Sequence, residues 1–276
     1  MTTTATAAAS RAASFPNSGA TLPRVIRSEW TKFWSLRSTW WTLLIAFVVT
    51  VGFATLIAWG ASSNVDKMSP QERATLDVTN LATAGVAFGQ LAMAVLGVLI
   101  IASEYSTGGI RTTLVAVPNR LRVLLAKVMV FGVVAALVAI VASFISFFVA
   151  MTFWSRHHLA ASLSTPAVLR SVIGAGLIGL LSGLLGVALG TLIRHTAGAI
   201  TSAVALLFVI PPLTNLLPGS WGKAISIRFT TNAGQRIAEV IHSPGQLYPW
   251  TGFFWMLGEC VIPLIIGAWL MKRRDA

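Results

Sequence analysis

The sequence predicts an all-α polytopic membrane protein: six transmembrane helices, N-in and C-in, with an N-terminal interfacial helix ahead of the first span. Three observations predict it. Of 276 residues, 55% are hydrophobic and only 10% charged, at a mean hydropathy of +0.79, whereas a soluble domain uses roughly 25% charged residues to cover its surface. Six stretches reach the about 20 apolar residues that cross a ~30 Å hydrocarbon core at ~1.5 Å rise per residue. Such runs read as helices because in lipid a helix satisfies its own backbone polar groups. Third, Lys and Arg concentrate on the segments that an N-in arrangement places inside, chiefly Arg24, Arg27, Lys32 and Arg37 before the first span and Lys272, Arg273 and Arg274 after the last.

Residues 1–21 are Thr, Ala and Ser around a single Arg11. Without an apolar run they read as a disordered tail, and less well as an organellar transit peptide. The transmembrane domain then occupies 22–276. From 22 to 37 the pattern is amphipathic: Ile26, Trp30, Phe33 and Trp34 share one helical face, with Arg27, Glu29 and Lys32 interspersed. An aromatic and basic helix beside a span settles in the interface plane, apolar side down.

The spans are expected at about 40–60, 81–102, 123–153, 168–193, 197–217 and 250–271. The third is longer than a bilayer requires and should tilt or project. Tryptophans at span ends (Trp40, Trp41, Trp59, Trp154, Trp250, Trp269) match an aromatic belt. In the fourth span Gly176, Gly179, Gly183, Gly186 and Gly190 form one stripe, a spacing that lets a neighbouring helix approach closely. In the sixth, Glu259 follows Trp250 by nine positions, roughly 14 Å along a helix. An acid near the midplane is costly, so it is a candidate functional group. Gln90 lies at similar depth in the second span and is the expected partner. Pro263 removes the N–H that would bond the Glu259 carbonyl. The long connection 218–249 should carry a helix capped by Asn232 with Gln235 and fold back onto the membrane surface, and Pro211–Pro212 should break the fifth span.

The net charge of +12 fits basic inner loops on an anionic membrane better than nucleic-acid binding. The lone Cys260 excludes an intramolecular disulfide and cysteine metal clusters. No G-x-x-x-x-G-K-[ST] and no H-E-x-x-H occurs, Ser182 misses a G-x-S-G arrangement by one position, and no histidine sits deep in a span. Catalysis by this chain is not expected, and no cofactor or metal is expected on it.

Between the second and third spans runs Glu104-Tyr105-Ser106-Thr107-Gly108-Gly109-Ile110-Arg111-Thr112-Thr113-Leu114, then Pro118-Asn119-Arg120 and Lys127. Physically this is a polar turn with a glycine break, a short helix over 110–117 stopped by Pro118, and Asn119 placed to cap the next helix. The string resembles the inner loop of ABC-2 type ABC-transporter permeases. In that loop a Glu at the membrane exit is followed by a Gly, a short coupling helix, a Pro, a basic residue and a Lys. Arg27-Ser28-Glu29-Trp30-Thr31-Lys32, then Arg37-Ser38-Thr39-Trp40-Trp41, is similar to the start of bacterial single-domain members. Gly109 departs from the pattern, where a Thr is common.

The resemblance implies a type V exporter-like architecture in the plasma membrane, the bacterial inner membrane in this case. It implies a homodimer or a heterodimer with a similar permease, and a separate cytoplasmic ABC ATPase that holds ATP and magnesium. Glu104, Tyr105, Gly108, Gly109, Arg111, Leu114, Pro118 and Arg120 would form the ATPase-coupling loop, with Arg111 and Arg120 facing the ATPase. Few polar residues in the spans favour a hydrophobic or amphipathic cargo. The alternatives are a stand-alone ion-coupled carrier or channel using Glu259, and a non-transporting membrane scaffold.

Overall fold

The computed structural model describes residues 21–273. The tail expected over 1–21 lies outside them apart from Thr21, as does Arg274. The chain opens with α1 (Leu22–Ser35), and extended Leu36 joins it to α2 (Arg37–Ser62), the first span. After α3 (Pro70–Ala74), the second span is built from α4 (Val78–Thr83) and α5 (Val86–Ser106). The short α6 (Gly109–Ala116) leads into α7 (Arg120–Trp154), and α8 (Pro166–Ile193) is the fourth span. The fifth is α9 (Thr196–Val204), a π-helical turn over Ala205–Val209 and α10 (Ile210–Thr214). Then come α11 (Gly219–Arg228), α12 (Thr230–Gly234), a 3-10 turn over Gln235–Ala238 and α13 (Pro249–Arg273). Six of these segments are long and apolar enough to cross a membrane. Below, the "loop end" is the end of the bundle carrying α6, and the "far end" is its opposite.

The centre of the bundle is α8, packed against α5, α7 and α13. Its glycine stripe does not serve one neighbour. A Cβ on Gly176 would stand 2.7 Å from the backbone of Ile140, and one on Gly179 would stand 3.0 Å from Ala139, both on α7. Gly186 and Gly190 instead lie on the α5 carbonyls of Ala94 and Val98, and Gly183 sits between Phe131 of α7 and Met93 of α5. The stripe therefore passes from one helix to the other along α8. A second small-residue face, not anticipated from the sequence, lies on α2: Ala46, Thr50, Ala54 and Ala58 recur every four positions and are all buried. Against it press Gly85 and Gly89, where any side chain would overlap Thr50.

The fifth span breaks where the prolines predict. Without an N–H, Pro211 leaves the Leu207 carbonyl without its helical donor, the turn widens to a π-helix, and the Thr231 hydroxyl donates to that carbonyl at 3.4 Å. The segment that follows departs from expectation. Asn232 caps no helix; it lies inside α12, and its amide donates to the carbonyls of Pro211 (3.3 Å) and Ser226 (3.0 Å). Nor does the connection merely lie on a surface: Ile237 is fully buried against Gly174 of α8. Arg170 donates to the Glu239 carbonyl at 2.8 Å, and the Asp77 carboxylate accepts from the Val240 and Ile241 amides. The far-end loop is thus pinned into the bundle by residues of α8 and of the α3–α4 linker.

Candidate functional site at the loop end

Glu104 stands two residues before the end of α5. Thr107 and Gly108 close that helix, with the Gly108 N–H bonding the Tyr105 carbonyl at 3.3 Å. Gly108 has φ +74°, a left-handed conformation natural to glycine at a helix C-terminus. The same residue then starts α6, of which Gly109 is the first member. Replacing Gly108 with alanine should cost about 1–2 kcal/mol, the strain of a left-handed side chain. It would appear as a lowered thermal midpoint of the solubilised protein. The helix ends at Ala116 because Pro118 disfavours helical geometry at Val117, and the Asn119 side chain accepts from the Arg122 amide at 3.2 Å to begin α7.

Along α6 only Ile110 is buried, and it anchors the helix; Leu114 is half-buried. Arg111, Thr112, Val115 and Ala116 face outward, and Val115 is 83% exposed. Arg111 and Val115, four positions apart, share a face. Val115 was not singled out from the sequence, although its spacing from Arg111 carried the signal.

Behind this exposed helix sits a buried charge network. Lys127 of α7 is 4% exposed and donates to Glu29 of α1 at 2.7 Å and to Glu104 of α5 at 2.6 Å. Lys32 of α1 pairs with the same Oε1 of Glu104 from the exposed side. Glu29 was expected on a surface helix face. It is instead 7% exposed, on the α1 face of Val25 and Phe33 that packs on α7. Trp30, expected on the face turned to the membrane interface, is 41% exposed, outside the buried row at positions 25, 29 and 33. Arg27 is exposed. Burying Glu29 and Glu104 without Lys127 would be very unfavourable, so this lysine fixes where α1, α5 and α7 meet.

Arg120 does not point outward: its guanidinium donates to the Met271 carbonyl at 2.7 Å, near the end of α13. The Arg194 guanidinium lies 5.0 Å over the Tyr105 ring and donates to the Leu270 carbonyl. Pro118 is exposed on the short connector into α7. The base of the loop between α5 and α7 is therefore tied to the end of α8 and to α13.

Glu259 and Gln90 do not form a pair among the described residues. The Gln90 side chain accepts from Ser182 of α8 at 3.2 Å, whereas Glu259 is half-buried beside Thr230 of α12, with one carboxylate oxygen lacking a hydrogen-bond partner. Equal depth in two helices does not place side chains on facing sides.

No curated protein matches the sequence. A family model described as "ABC-2 family transporter protein" matches residues 24–276, which takes in α1 from its third residue, all six spans and the loop end. The chain belongs to the ABC-2 family of transporter proteins.

Proposed function

We propose that this chain is the permease subunit of an ABC exporter, with the loop end in the cytoplasm and α1 at the inner membrane interface. A separate ATPase subunit, which holds ATP and magnesium, docks on α6. The observation that carries this reading is the contrast within the loop: α6 presents Arg111, Thr112 and Val115 outward, while its base is bound to α1, α7, α8 and α13 through Glu104, Arg120 and Tyr105. A push on α6 therefore reaches four helices without passing through a flexible linker. Two such chains, identical or paired with a similar permease, enclose the pathway in the bacterial inner membrane. The predominantly apolar spans suit a hydrophobic or amphipathic cargo.

The experiment is copurification of the ATPase subunit from mild detergent with wild-type and Arg111→Glu/Val115→Asp permease. The altered face is expected to lower recovery of ATPase about tenfold or more, a loss of ~1.4 kcal/mol in docking, while the permease itself stays folded. Unchanged recovery and unchanged ATP-driven transport would sink the assignment of α6 as the docking helix.

One observation favours a second reading, a carrier that runs on an ion gradient: the partnerless oxygen of Glu259 within a span. Ion-driven exchange by the chain alone in liposomes, abolished in Glu259→Gln, would support it over the first.

A further inference from the structure

In the half of α13 nearer the far end, Glu259 and Trp255 line two neighbouring hollows, of ≈ 540 Å³ and ≈ 360 Å³. The first runs along α13 beside Phe254, Gly258 and Ile262; the second is closed by α11 through Ile225 and Arg228. Trp255, Glu259, Ile262, Ile266 and Trp269 recur at intervals of four and three, so they form one stripe along α13. Apart from half-buried Glu259, every member of the stripe is exposed. An acid on such a stripe is costly in a membrane unless something meets it. Arg228 shares the second hollow, its guanidinium 5.9 Å from the centre of the Trp255 ring, one turn nearer the far end than Glu259. Arg228 is exposed and donates to the Ala224 carbonyl at 3.0 Å. Among the described residues no ion pair joins it to Glu259. The groove thus carries one positive and one negative group on an apolar wall, neither neutralising the other. Of the two Glu259 oxygens, Oε2 is sealed from the surface, which leaves Oε1 to a ligand.

We propose that this groove binds a single-chain zwitterion, its anion on Arg228, its ammonium donating to Glu259 Oε1 and its chain lying along Ile262 and Ile266. The pairing of charges sets the choice. A ligand carrying a cation alone would face Arg228, and one carrying an anion alone would face Glu259. A zwitterion meets an opposite charge at both, and charge-assisted hydrogen bonds are about twice as strong as neutral ones. The planar fork of an arginine suits a carboxylate or a phosphate. The Glu259 oxygen accepts from an N–H, so the ammonium must be one that carries hydrogen, not a quaternary one. Both hollows fall within the ~300–1,000 Å³ of common small-molecule sites. Gly258 keeps the larger one open, because a Cβ there would meet nothing within 4 Å. Binding depends on the permease alone, so it stands or falls separately from the docking of an ATPase.

The test is equilibrium binding of 2-aminododecanoic acid, dodecylamine and dodecanoate at pH 7 to the purified permease in dodecyl maltoside, an uncharged detergent, with protein-free micelles subtracted. Saturable binding of one 2-aminododecanoic acid per chain is expected, with each singly charged ligand at least about tenfold weaker. Glu259→Gln should bring the zwitterion down to the affinity of dodecanoate, and Arg228→Gln should bring it down to that of dodecylamine. Gly258→Leu fills the groove without touching a charge and without a clash inside the protein. It should weaken the zwitterion by about tenfold or more. Equal binding of the three ligands to the wild type, no saturable binding, or zwitterion affinity unchanged by Gly258→Leu would overturn the proposal.

Discussion

Lys127→Met is expected to destabilise the protein by about 3–5 kcal/mol, the usual consequence of removing one partner from a buried ion pair. The reason is local and electrostatic. Among the described residues Lys127 is the only cation seen to contact Glu29, and one of two on Glu104, and both carboxylates are buried. Lys32 cannot replace it: its side chain is 40% exposed and, among the described residues, it pairs with Glu104 and not with Glu29. Thermal unfolding of the detergent-solubilised protein checks this. The effect is electrostatic and not one of shape, so the triple variant Glu29→Gln/Glu104→Gln/Lys127→Met should recover most of the lost stability, as hydrophobic or neutral replacements of whole buried ion pairs commonly do. If the triple variant is as unstable as Lys127→Met, the loss lies in packing and the account of the network is wrong.

Gly186→Leu should have an effect at least as large, by a different route. A Cβ at this position overlaps the Ala94 carbonyl of α5, which is helix backbone and cannot swing aside as a long side chain would. The α5–α8 contact is the core of the bundle, where Ala94, Val98, Ile178, Leu181 and Leu185 are nearly fully buried together. Separating the helices opens voids along that contact, at about 24 cal/mol per Å³ of cavity on top of lost transfer energy. The expected result is loss of monodisperse folded protein on size-exclusion chromatography. By contrast, Gly132→Leu on α7, where a Cβ meets nothing within 4 Å, should be tolerated and serves as the control. Equal behaviour of the two would contradict the packing argument.

Features governed by local period and turn chemistry were legible in the sequence. The span positions follow from hydrophobic length, the loop-end turn from Gly108, the stop of α6 from Pro118, the start of α7 from Asn119, and the close approach of α8 from its glycine spacing. What could not be read there depends on partners distant in the chain. Glu29 looked like a surface residue because its partner Lys127 is 98 positions away. Arg120 looked free to meet another protein because the carbonyl it binds, Met271, is 151 positions away. Asn232 carried a helix-start signature, but its amide instead donates to the carbonyls of Pro211 and Ser226, 21 and 6 positions away. For Gln90 and Glu259, depth was readable while the facing direction of each helix was not.

The central claim is that α6 is where an ATPase subunit docks, and a single thiol tests it most directly. Cys260 is the only cysteine in the sequence and is 2% exposed, so Val115→Cys permease carries one accessible thiol, at the tip of α6. A thiol-to-amine cross-linker on that residue, in membranes containing the complete transporter, should yield one predominant permease–ATPase adduct that weakens when nucleotide changes the state of the ATPase. A thiol that labels freely with a small maleimide yet yields no ATPase adduct in any nucleotide state would contradict the account.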